Sequence, residues 1–288
     1  MTRSTDAFIQ SVWLEIQDLP IGSNLSDEKL LAIGRICLSL HTLHTCIRWD
    51  EEENKRFRIL HKIGEVFDEC CHRCHDCTDM PRLGRFVPML YSLATPCLIV
   101  PKEERLLKCD RITGRLLDWW TKSTSVHWKE EHNAIRSAME ILGILNQTER
   151  KNDAVFLKCE RILTDWFQAL SKKHEWKNIS DLEALSRLET MSFASGCVFD
   201  FIKYEILSQS YQHYKQQIRH LGISLEQQPM MLELEKLTGH IDKSLLDDLL
   251  NSTEATIRNK TADQDEYWFI LSIQTECWCM KQTEIGIG

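Results

Sequence analysis

The chain has 288 residues, 43% of them hydrophobic and 27% charged, with only 11 glycines and 6 prolines and a net charge of −8. This composition excludes wholesale disorder, collagen-like sequence and turn-dense all-β folds, and leaves a helix-favouring protein of one large domain or two small ones. The acidity is concentrated in residues 221–288, which hold 12 acidic against 5 basic side chains, a balance that argues against a general nucleic-acid binder.

Apolar residues recur at three- and four-residue intervals nearly throughout, without the strict alternation of strands. The chain therefore reads as all-α, with antiparallel helical hairpins arranged as an α-solenoid or as an irregular bundle of about ten helices. The first helix is expected near 5–18, and no apolar run of signal-peptide length precedes it. The second, near 26–47, opens on Ser26-Asp27-Glu28, and the third, near 51–77, on the acidic cluster Asp50-Glu51-Glu52-Glu53. A fourth near 82–95 contains Pro88, with Pro81 and Pro96 around it, so a kink or break is expected there. Further helices follow near 102–122, 127–145 and 152–173. Those near 180–208 and 210–221 come next, the former opening on the capping-box pattern Ser180-Asp181-Leu182-Glu183. The last two are expected near 229–250 and 263–282. No apolar stretch approaches the ~20 residues that span a bilayer, so no membrane association is expected. A single helical domain over residues 1–288 is the simplest organisation, with a subdivision near 222–229 ahead of the acidic C-terminal part.

The sharpest chemical pattern is Cys70-Cys71-His72-Arg73-Cys74-His75-Asp76-Cys77. Cys70-x3-Cys74-x2-Cys77 matches the spacing that holds an iron–sulfur cluster, and Cys71, Cys74, His75 and Cys77 offer zinc-type donors. The same spacing continues an apolar stripe of one helix through Phe57, Leu60, Ile63, Phe67, Cys70, Cys74 and Cys77. The thiols are accordingly read as small buried hydrophobes, with a helical metalloprotein or metalloenzyme as the alternative, and no cofactor is required. His75-Asp76 as a phosphohydrolase dipeptide, Glu69-x-x-His72 as half a di-iron site and Asp247-Asp248 as a magnesium motif each lack the further ligands such sites need. Phosphate-binding glycine loops and the serine nucleophile elbow are absent from the sequence. Twelve cysteines without a signal peptide read as reduced thiols of an intracellular protein, cytoplasmic or nuclear.

An internal echo joins Leu107-Lys108-Cys109-Asp110-Arg111-Ile112 to Leu157-Lys158-Cys159-Glu160-Arg161-Ile162. Each copy is followed by Asp-Trp (Asp118-Trp119, Asp165-Trp166) and then Trp-Lys (Trp128-Lys129, Trp176-Lys177). A period of 47 to 50 residues is near that of solenoid repeats, and in this respect the chain resembles the armadillo and HEAT class. Arg105, Lys108, Arg111 and Arg115 share one helix face, and stacked repeats would set Lys108 beside Lys158 and Arg111 beside Arg161. Such a ridge would receive an acidic peptide or a phosphate; the alternative is an ordinary solvated face paired with Glu104, Asp110 and Asp118. The tryptophans are mostly assigned to the core, and the last helix, apolar on more than one face at Tyr267-Trp268-Phe269-Ile270-Leu271, is either central or a docking element. The function these features favour is a non-enzymatic scaffold or adaptor that binds protein partners, with a phosphate- or nucleic-acid-binding repeat scaffold as a further alternative.

Overall fold

A computed structural model describes residues 2–46, 53–96, 101–122, 150, 153–173, 243–258 and 264–285, together with 137, 138, 141, 142, 145 and 232. Every regular element among the described residues is helical: α1 (Thr2–Gln17), α2 (Asp27–Cys46), α3 (Glu53–His75), α4 (Met80–Ala94), α5 (Lys102–Lys122), α6 (Ala154–Lys173), α7 (Lys243–Arg258) and α8 (Gln264–Ile285). Residues 137, 138, 141, 142 and 145 are also helical, within the stretch expected near 127–145. The helices expected near 180–208 and 210–221, and the subdivision near 222–229, lie outside the described residues.

Local sequence explains two of the helix starts. Ser26 accepts the Lys29 amide hydrogen at 3.1 Å and so caps α2, whose first turn carries Asp27 and Glu28 against the helix dipole. Asp79 caps α4 in the same manner, accepting from the Arg82 amide at 3.1 Å, and Pro81 then sits in the first turn where its missing N–H costs nothing. Of the kink or break expected at Pro88, the break does not occur: α4 runs unbroken from Met80 to Ala94. Proline removes the hydrogen bond to the carbonyl four residues back, which is that of Gly84, and the Ser137 hydroxyl donates to this carbonyl at 2.9 Å instead. Helix α7 also continues past the expected end near 250 to Arg258, and the buried Thr253 within it satisfies its hydroxyl on the carbonyls of Leu249 and Leu250 at 2.9 Å.

The chain forms two compact units that interleave in sequence. One comprises Met1–Asp76, Met89–Cys109 and Ile241–Gly288, the other Cys77–Pro88 and Asp110–His240. The first is centred on α8, which packs on α2 and α7 and touches α1, while α2 packs on α3 and α1 touches α3. Helix α8 is buried around its circumference, including Ile270, Leu271, Ile273, Cys277 and Met280 together with Ser272, Gln274 and Thr275. Ser272 and Thr275 satisfy their hydroxyls on the carbonyls of Phe269 and Leu271, at 2.7 Å each, so the helix can carry polar residues into a core. Of the two roles expected for this helix, the central one holds. Its N-terminal end is clasped to α1 and α2: Ser26 donates to Asp265 at 2.6 Å, Tyr267 donates to Glu15 at 2.9 Å, and the Lys29 ammonium lies 4.7 Å from the Trp268 ring centre. Gly34 of α2 lies where an added Cβ would stand 3.0 Å from the Met89 sulfur, so the absent side chain permits that close approach.

Packing of sequence-remote helices α2 and α8 differs from the nearest-neighbour stacking of an open solenoid. In the second unit, by contrast, Asp110 is bound bidentately by Arg150, at 2.7 and 3.2 Å, and Asp118 is bound by Lys158. Both pairs are offset by 40 residues, so α5 and the segment leading into α6 run in the same direction.

Candidate functional site

The cysteine–histidine segment continues an apolar stripe that is buried from Leu60 onward, whereas Phe57 at its start is 64% exposed. Helix α3 extends to His75, Cys70 and Cys74 are buried within it, and Cys77 is buried in the connection to α4, where its thiol donates to the Asp79 carbonyl at 3.3 Å. Burial pushes the Cys70 thiol well up, and pushes Cys71 up to about 12 despite the nearby Lys108. Groups held in the thiol form are poor nucleophiles. His75 points away from this stripe with its side chain 81% exposed beside Asp76, at 3.8 Å. Among the described residues no three His, Cys, Asp or Glu side chains converge as a metal site requires.

What holds this end of α3 is a residue that the sequence reading passed over. Arg73 donates to Asp27 and Glu69, each at 2.8 Å, and to the Gly22 carbonyl at 3.0 Å. Burial lowers its pKa, but hydrogen bonds and charge from Glu69 and Asp27 more than offset this and leave it raised. The arrangement fastens α3 to the α1–α2 connection and to the start of α2.

The predicted basic stripe is divided among several tasks. Arg105 is only 3% exposed and donates to the Ala94 carbonyl at 2.8 Å, capping the end of α4, so it leaves the stripe. Lys108 lies 3.6 Å from Glu104, and Arg115 donates to the Cys77 carbonyl. Lys158 binds Asp118, whose carboxyl is held below its usual pKa by that hydrogen bond and charge. Arg111 and Arg161 remain exposed. They do not align: the 40-residue offset of the two ion pairs leaves residues 50 apart some ten positions out of level, roughly 15 Å along a helix. The phosphate-ridge arrangement is therefore not formed.

The two copies of the echo share one burial pattern. Residues 106–114 and 156–164 follow the same sequence of buried, half-buried and exposed positions at all nine sites. Cys109 and Cys159 face inward with Ile112 and Ile162, whereas Leu107 and Leu157 face solvent at 50% and 51% exposure, one turn before Arg111 and Arg161. Those two leucines are the apolar members of the candidate surface that sequence reasoning missed. Their signal was present, since a residue two positions before Cys109 or Cys159 lies about 200° around the helix from the buried stripe.

No family model matches the chain, and no curated protein or solved structure is similar to it. No helix among the described residues is long and apolar enough to cross a membrane.

Proposed function

We propose that the protein is a non-enzymatic scaffold or adaptor that binds protein partners within a larger intracellular complex, in the cytoplasm or nucleus, through a helical-repeat surface of armadillo or HEAT type. The observation that carries this reading is the duplicated presentation of an exposed leucine one turn before an exposed arginine, at Leu107–Arg111 and Leu157–Arg161. Exposed apolar side chains beside guanidinium groups are the chemistry of interface anchors, while the neighbouring cysteine and isoleucine of each helix are buried. The parallel course of α5 and the segment entering α6, 40 residues apart, is in keeping with two- or three-helix repeats, whose periods are about 40–47 residues, although it differs from the 47–50-residue spacing of the echo. No corresponding observation among the described residues favours the metalloprotein or the nucleic-acid alternative: no three metal-type side chains converge, and Arg105, Lys108, Arg115 and Lys158 each engage another group of the chain.

The test is quantitative affinity capture of full-length protein from nuclease-treated cells, compared with the combined variant Leu107→Ser, Leu157→Ser, Arg111→Glu, Arg161→Glu. A protein recovered in stoichiometric amount with the unaltered chain and lost with the variant, at unchanged far-ultraviolet circular dichroism, is the expected result. Equal recovery by both chains, or a partnerless monomer, overturns the reading.

A further inference from the structure

We draw no further inference here: the strongest candidate, the exposed Leu107–Arg111 and Leu157–Arg161 faces of α5 and α6, belongs to the surface on which the proposed function already rests, and nothing in the structure shows what covers it.

Discussion

Among the described residues, four basic side chains donate to backbone carbonyls at or beside the ends of helices. Lys62 reaches the Leu19 carbonyl at 2.9 Å just beyond α1, Arg73 the Gly22 carbonyl, Arg105 the Ala94 carbonyl and Arg115 the Cys77 carbonyl. Each supplies a donor where a helix or connection leaves an acceptor without one, which explains why a stripe of cations in sequence is not a free positive face in space. Arg73 carries the largest consequence because its partners Asp27 and Glu69 are themselves only 12% and 13% exposed. Arg73→Ala removes the guanidinium shared by these two part-buried carboxylates and is expected to lower unfolding free energy by about 2–4 kcal/mol in urea titrations. Tyr267 gives a pH signature. Burial, with its hydrogen bond to Glu15, raises its pKa to about 12. A phenol that ionises near pH 10 when unfolded but resists ionisation when folded contributes stability that is intact below about pH 10 and is lost as pH rises towards the folded value. Tyr267→Phe should therefore flatten the decline in thermal midpoint between pH 10 and 12; an unchanged slope assigns that decline to other groups.

At the scale of the element, the helices were largely legible, because a 3.6-residue apolar period needs no tertiary information. The start of α2 at its Ser26 cap and the span of α5 from Lys102 to Lys122 follow directly from local sequence. Continuity of α4 through Pro88 did not, since the compensating donor, Ser137, lies 53 residues away from Gly84. Ser137→Ala should cost about 1–3 kcal/mol by depriving a buried carbonyl of this donor. Pro88→Ala in the same background restores an amide hydrogen to that carbonyl, so the two substitutions should be non-additive in a double-mutant cycle, with the pair less destabilised than the sum. Additive losses would remove the carbonyl from the explanation. The candidate surface was legible in half: the echo exposed Arg111 and Arg161 to attention, but Arg105 looked like its neighbours, and only packing against α4 reveals it as a cap.

Across the whole molecule, the first unit is completed by the C-terminal helices, since α8 packs on α2 although more than 200 residues separate them in sequence. Its all-round burial means that removing residues 241–288 takes away a central helix rather than a peripheral one. A chain of residues 1–240 is expected to lose the cooperative unfolding transition of the first unit, and the 241–288 fragment supplied separately should restore part of it, as followed by circular dichroism on heating. Retention of the full transition by the truncated chain would show that α8 is dispensable. The first unit draws on three separate stretches of chain, Met1–Asp76, Met89–Cys109 and Ile241–Gly288, which come together only on folding.

By itself, the sequence determined the helical class, several helix starts, the burial of the Cys70, Cys74 and Cys77 stripe, and the likeness of the α5 and α6 faces, all consequences of one periodicity acting over a few turns. Tertiary structure decided the rest: the central position of α8, the offset of 40 that separates Arg111 from Arg161, and the diversion of Arg105, Arg115 and Lys158 to internal acceptors. The division has a physical cause. Periodicity states which face of a helix must avoid water, whereas the partner of that face, and the acceptor for each long cation, depend on elements that approach only when the chain has folded.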